Sequence, residues 1–184
     1  MLASPPVTTV AYFAYGSNMD SATLRVRRGV EWTRAVPALA RGWRLAVDKP
    51  SLMGTGEGMA TILEDSGAEV WGVLYEISAA DLEHIELTEG VLIGHYRRVE
   101  IVVETLSQGG APAVTIPAVT LASNVRDPAY KPTTRYLGLL LGGAAEHGLP
   151  DSWIDVLRSI EAVDEAADAA ALRPFFDRAM QKPS

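Results

Sequence analysis

The chain reads as an α+β protein, a strongly curved sheet or barrel with helices packed on it, and three observations predict this. Segments of strand character outnumber helical ones over the first two thirds, helical patterns close the chain, and 184 residues suit one domain with a sizeable core. Apolar residues make up 48% and charged residues 21%, the balance of a folded globular chain rather than a disordered one. Sixteen basic residues against 23 acidic give a formal charge of −7, which on average repels a nucleic-acid backbone or an anionic membrane. There is no cysteine, so disulfides, thiolate nucleophiles and sulfur metal ligands are all excluded. The first residues, "MLASPPVTTV", carry neither a basic stretch nor an unbroken apolar run, and no segment approaches the ~20 apolar residues of a membrane helix. A cytoplasmic protein with no nucleic-acid and no membrane partner is expected, and a homodimer is compatible with the sequence.

Each element follows from local pattern. Residues 1–6, with Ser-Pro-Pro, read as a loose lead-in, and Val7 to Ala14, rich in β-branched and aromatic residues, as a first strand. "MDSATLRVRRGV" predicts a short helix capped by Asp20 or Ser21 and stopped by Gly29. Strands are predicted over 42–49, over "MATILED" after the glycine loop "SLMGTGEG", and over 69–78, where both faces are apolar and so both are expected to be buried. Ser78 with Asp81 resembles a capping box, starting a helix that places Leu82 and Ile85 on the core and ends at Gly90. Two further strands, "HYRRVEIVVETL" and "AVTIPAVTLAS", flank the turn "SQGGAP", and Pro117 argues for an edge position or a bulge in the second. A helix from Thr133 to Gly148, another capped by Asp151 or Ser152, and a tail helical up to Pro174 complete the chain.

Most candidate chemistry is weak. His84, His95 and His147 have no metal-ligand spacing and read as surface or structural histidines, so no metal or cofactor is expected. "GTGEG" at 54–58 lacks the lysine and spacing of a phosphate loop and carries Glu57, so it reads as a turn. "RVRR" at Arg25 to Arg28 reads as a solvated face. Ser17 lacks the flanking glycines of a nucleophile elbow, having Tyr15 and Met19 there instead. Glu83, Glu86 and Glu89 recur every three residues along one helix stripe, usually a solvated face. Glu89 stands apart because it precedes Gly90, at the helix end whose dipole disfavours a negative charge. The backbone-exposing "YGSN" after a buried strand is its complement: successive turn amides hold a carboxylate or an oxyanion, and a lone carboxylate moves a proton.

"YFAYGSNM" resembles the signature of the gamma-glutamylcyclotransferase family. Three further segments follow in the order that family shows: "GMATILEDSGAEVWGVLYEIS" at 58–78, "TEGVLIGHYRRVEIVV" at 88–103 and "YLGLLLGGAAEHGLPDSWIDVLRSI" at 136–160. The resemblance runs from about Val10 to about Ile160. It implies a compact mixed β-barrel with surrounding helices; residues 161–184 have no counterpart in it, so one domain over 1–184 is expected, with a core of about 7–160 and a C-terminal helical extension over 161–184. It implies no cofactor, and cyclisation of a small γ-glutamyl substrate to 5-oxoproline with release of the attached amine or amino acid. By position Glu89 matches the catalytic glutamate as general acid/base. Tyr15, Gly16, Ser17 and Asn18 match the substrate-binding turn, and Tyr96 and Tyr136 match tyrosines of the same cavity. Loops 50–57 and 123–134 are expected to set the leaving group. A serine amidase using Ser17 and a non-catalytic binder of an acidic metabolite are the alternatives.

Overall fold

The structure, a computed structural model, describes residues 8–106 and 113–182. Five strands, β1 (Thr9–Ala14), β2 (Trp32–Pro50), β3 (Gly58–Ser78), β4 (Arg97–Thr105) and β5 (Thr115–Ala122), close into a barrel in the order β1-β3-β2-β4-β5. All pairings are antiparallel except that of β1 with β5, which meet in parallel at Tyr12 and Val119 and make the sheet mixed. Four α-helices among the described residues, α1 (Ala79–Thr88), α2 (Thr134–Glu146), α3 (Asp151–Arg158) and α4 (Ala167–Ala179), complete the fold. No described helix is long and apolar enough to cross a membrane.

Closure of the barrel buries β1 on both sides: Phe13 is 0% exposed, and its carbonyl accepts a 2.7 Å hydrogen bond from Thr120 Oγ1 on β5. β3 is equally sequestered where it pairs with β1 in the sheet, with Val70, Val73, Leu74, Tyr75 and Ile77 in the core, which is the two-faced burial that the apolar run predicts. Val7 lies outside the described residues, as do residues 1–6 and the turn "SQGGAP", so β1 is seen from Thr9 onward. Pro117 faces Val102 of β4, on a stretch of β5 that β1 meets only at Val119 among the described residues, so no ladder needs its missing N–H there.

Several boundaries differ from the sequence reading. β2 begins at Trp32 rather than 42, because residues 32–41 pair with 69–77 of β3 even though Pro37 and two arginines blur the alternation. The predicted strands over 59–65 and 69–78 are one strand, paired with β2 up to Glu64 and again from Glu69, with residues 65–68 bulging at the register shift between Arg41 and Trp43. The predicted helix after Asp20 is a single widened turn over Ala22–Arg27, with Arg28 N donating to Thr23 O at 3.2 Å. Asp20 is its cap, Oδ2 accepting from Thr23 N at 2.7 Å. Ser78 caps α1 as expected, Oγ accepting from Asp81 N at 3.0 Å, and Leu82 and Ile85 are buried. α3 has Pro150, not Asp151 or Ser152, at its cap, and Asp151 sits in the first turn where its charge suits the dipole. α4 continues through Pro174 to Ala179. Its far end is tied down by ion pairs from Arg27 to Asp177 (2.6 Å) and Lys182 to Asp81 (2.7 Å), and by His84 Nε2 against Met180 O (3.0 Å).

α2 rests on the turn that follows β1. At Gly143 a methyl group would come within 2.6 Å of Asp20 N and Met19 C, so only glycine lets the helix lie this close. Gly143→Ala is therefore expected to destabilise the protein by about 1–3 kcal/mol. Gly138→Ala, in the same helix with nothing within 4 Å of the new methyl, is expected to stabilise it by about 0.5–1 kcal/mol through helix propensity. Urea unfolding of the two variants checks the opposite signs.

Candidate active site

β1 delivers its C-terminal end into the barrel mouth, where Tyr15 to Met19 turn sharply. Met19 N donates to Gly16 O at 3.0 Å and Asp20 N to Ser17 O at 3.1 Å, a 3₁₀ turn over Ser17–Met19 that leaves the amides at its start without a partner inside the turn. A methyl on Gly16 would stand 3.2 Å from Ala60 Cβ and 3.3 Å from the Tyr136 hydroxyl, so the turn is pressed against β3 and α2. All seven predicted residues, Tyr15, Gly16, Ser17, Asn18, Glu89, Tyr96 and Tyr136, border one cavity there, together with Tyr12, Met59, Ala60 and Leu121.

The cavity wall is fixed by phenols tied to backbone. Tyr15 OH donates to Leu121 O, Tyr96 OH donates to Ala60 O at 2.7 Å, and Tyr136 OH accepts from Ala60 N at 3.1 Å. Tyr12 OH accepts from Asn18 Nδ2 at 2.9 Å. Burial pushes the Tyr12 phenol up to about 12, with the Glu89 charge adding and the Asn18 hydrogen bond and Arg28 opposing. Burial likewise raises Tyr15, Tyr96 and Tyr136 well above the ordinary phenol value. These hydroxyls stay protonated through the neutral range, so among the described residues lining this inner cavity Glu89 is the side chain able to accept a proton. Asn18 Oδ1 is buried with no hydrogen-bond partner, an unused acceptor on the cavity rim.

Glu89 is the C-cap of α1, and Gly90 follows with φ 71°, the left-handed backbone expected of a helix stop. Of its two stripe-mates, Glu83 is exposed and Glu86 is half-buried and paired with Arg98 at 3.4 Å, whereas Glu89 is turned inward. The carboxylate stands against the helix dipole because Arg28 NH2 donates to Glu89 Oε1, while Arg28 NH1 donates to Thr88 Oγ1 at 2.5 Å. The expectation that "RVRR" forms a solvated face fails at this residue: Arg28 is 5% exposed. The widened turn over Ala22–Arg27 aims it inward, and Arg25 alone behaves as expected, stacked 3.9 Å above Trp32 at the surface. Nothing in the run itself distinguishes the fourth residue from the first; only the turn geometry does.

A second, wider chamber opens beyond the first, and Ser17, Met59, Glu89, Tyr96 and Tyr136 border both. Its walls come from the 51–57 loop, from Arg135, from Arg173 and Phe176 on α4, and from Met180 just past its end. The expected contribution of loop 50–57 is present, but no residue of 123–134 borders this chamber, and α4, inside the extension of 161–184, takes that side instead. Glu57 is buried and engaged, accepting from Thr133 Oγ1 and from Arg135 NH2 at 3.4 Å. His84 and His147 are structural, as read: His147 Nε2 lies 3.0 Å from Tyr75 OH. His95 borders the outer chamber, a placement its sequence context does not signal. Among the described residues no group of three or more His, Cys, Asp or Glu could hold a metal ion.

The fold and site define a closed mixed barrel whose mouth carries one inward carboxylate, a backbone-exposing turn and a wall of neutral phenols. A family model described as AIG2-like matches residues 69–157. A gamma-glutamylcyclotransferase of Bos taurus is 32% identical over 157 residues, 83% of this chain and 79% of that protein. One of Homo sapiens is 30% identical over 165 residues, 87% and 83% of the two chains. A solved structure described as a gamma-glutamyl cyclotransferase superposes with a TM-score of 0.73 at 23% identity, covering 91% of this chain and 99% of that one. The chain belongs to the gamma-glutamylcyclotransferase family.

Truncating Arg28 leaves Glu89 unpaired at a helix end that repels it. Arg28→Met is expected to destabilise the protein by about 2–3 kcal/mol, below the range for a fully buried pair because the Glu89 side chain is 21% exposed. Glu89→Gln combined with Arg28→Met is expected to recover part of that loss in thermal unfolding, a coupling that independent sites would not show.

Proposed function

We propose that this protein cyclises the γ-glutamyl group of a small substrate to 5-oxoproline and releases the attached amine or amino acid. The observation that carries the reading is the convergence of Glu89 with the Tyr15 to Asn18 turn on one phenol-walled cavity. The substrate's α-ammonium has no lone pair and must lose a proton before it can attack the γ-carbonyl, and Glu89 is the inner-cavity base available to take it. The unpartnered Asn18 Oδ1 suits the same nitrogen, accepting an N–H and aiming its lone pair at the carbonyl carbon. Amine and carbonyl belong to one molecule, so holding the chain folded supplies much of the rate.

As the ring closes, the carbonyl oxygen becomes an alkoxide and needs fixed donors, each worth about 3 kcal/mol in acyl-transfer enzymes. The amides at the start of the Ser17–Met19 turn supply donors to that oxygen or to the substrate's α-carboxylate. The C–N bond to the leaving group then breaks and its nitrogen takes up a proton. No cofactor or covalent intermediate enters this scheme. An amidase using Ser17 would need a base at the hydroxyl, yet no histidine or lysine lines the inner cavity.

Glu89→Gln is expected to lower 5-oxoproline formation from γ-glutamyl dipeptides and γ-glutamyl amines by about 10²–10⁴-fold. Ser17→Ala is expected to weaken turnover without abolishing it. Chromatographic detection of 5-oxoproline across a substrate panel checks both. Full activity in Glu89→Gln, or complete loss in Ser17→Ala, contradicts the assignment.

A further inference from the structure

Directly behind the site lies a charged residue that the scheme above does not use. Lys49, near the end of β2, is 0% exposed. Its ammonium touches His95 Nε2, donates to Pro50 O at 3.1 Å and sits 4.4 Å from the centre of the Tyr96 ring. A lysine buried for packing alone would be outdone by leucine or methionine, since removing an ammonium from water costs several kcal/mol even after the protein relaxes around it. Its principal side-chain partner, His95, is half-buried and borders the outer chamber together with Glu89 and Tyr96. The chain returns to this point by a short turn after Glu89, His95 N donating to Gly90 O at 3.0 Å, so base and imidazole are held by the same few residues of backbone.

The division of the cavity gives the pair a task. With the γ-glutamyl head in the inner cavity, the bond to be broken lies at the neck that Glu89, Tyr96 and Ser17 share, and the departing nitrogen moves into the outer chamber. His95 lines that outer chamber and not the inner one, whereas Glu89 borders both. Resting on the proposed cyclisation, we infer that His95, recharged by Lys49, is the acid that protonates the departing nitrogen, so that attack and departure use separate proton carriers.

The step balances. While Lys49 is an ammonium its N–H occupies His95 Nε2, and the ring proton sits on Nδ1. As the C–N bond breaks, its electron pair stays on nitrogen, nitrogen takes the Nδ1 proton, and Nε2 takes one from Lys49. The α-nitrogen sheds two protons in all, Glu89 passing the first to water and keeping the second as the lactam forms, so the products are 5-oxoproline and the free amine, with Glu89 protonated and Lys49 neutral. Loss of one proton from Glu89 to water and gain of one by Lys49 restore the site. Burial, with the neighbouring lysine charge, holds the His95 imidazole below its ordinary value, which keeps it neutral and a relay rather than a resting cation. Burial also lowers Lys49 to about 8, with Glu89 opposing, an acid strength suited to proton transfer near neutral pH. The groups facing Lys49 are His95 and Tyr96, ahead of β4, and the Glu89 charge from α1; Met59, opposite it on β3, carries none.

The test uses the dependence on leaving-group basicity. γ-Glutamyl alkylamides must be protonated to depart, whereas γ-glutamyl p-nitroanilide departs with little help. His95→Gln and Lys49→Met are expected to lower kcat for an alkylamide by about 10²-fold or more, and for the anilide by less than a tenth of that factor. In the unmodified protein, alkylamide kcat should fall as pH rises through about 8, because the donor must be protonated, and Lys49→Met should remove that alkaline limb. Equal losses on both substrates, or an alkaline limb unchanged in Lys49→Met, overturn the inference, as does wild-type kcat on the alkylamide. A misfolded variant loses both substrates equally, so far-UV circular dichroism separates that case, and the more conservative His95→Asn then repeats the comparison. If the unmodified protein forms no 5-oxoproline from any substrate, it is the proposed cyclisation that fails.

Discussion

A carboxylate at the C-terminal end of a helix stands where the helix field opposes it, and the Arg28–Glu89 pair is what makes that position tenable. The rest of the site is arranged around it. Arg28 comes inward from the widened turn after Asp20, the helix ends on time at Gly90, and β1 brings the Tyr15 to Asn18 turn to the same opening. A buried pair of this kind seldom adds net stability compared with apolar residues of similar size. Its value lies in fixing an ionised oxygen acceptor at one point of an otherwise uncharged inner cavity.

The barrel supplies the rigidity that such placement needs. β1 is held on both flanks by β3 and β5, its Phe13 carbonyl is claimed by Thr120, and α2 clamps the following turn at Gly143. Three phenols are spent on backbone groups of Leu121 and Ala60 rather than left to rotate. The walls of the inner cavity are thus set by the same hydrogen bonds that close the fold. The outer chamber differs in kind: it is bounded by the 51–57 loop and α4, whose docking rests on ion pairs and hydrogen bonds at its far end. A rigid inner cavity with a more loosely built outer one suits an enzyme whose substrate has a constant head and a variable leaving portion.

The parts of this arrangement that were legible in the sequence are those encoded by neighbouring residues. Ser78 and Asp81 announce a helix start, Gly90 its end, and the apolar run into "YGSN" a strand delivering an exposed turn; each is local chemistry, and each appears in the structure. Glu89 stood out because its place at a helix end is itself a local property. What was not legible depends on folding in three dimensions. Arg28 looks like its neighbours Arg25 and Arg27 until the turn aims it, Lys49 looks like a strand-end surface lysine until the barrel closes over it, and His95 gains its partner only through the β2–β4 side of the mouth. Likewise the unity of β3 comes from pairing with β2 on either side of Asp65–Gly67, a stretch that itself bulges unpaired opposite Gly42.

The most direct test of the account is a crystal structure of the Glu89→Gln protein with an intact γ-glutamyl dipeptide. The account predicts the glutamyl head in the inner cavity, against the Tyr15 to Asn18 turn, with its α-nitrogen within roughly 2.6–3.2 Å of the side chain at position 89 and the leaving portion directed toward His95 and α4. A head bound elsewhere, or one whose γ-carbonyl carbon sits against Ser17 Oγ with the α-nitrogen turned away from position 89, would contradict it.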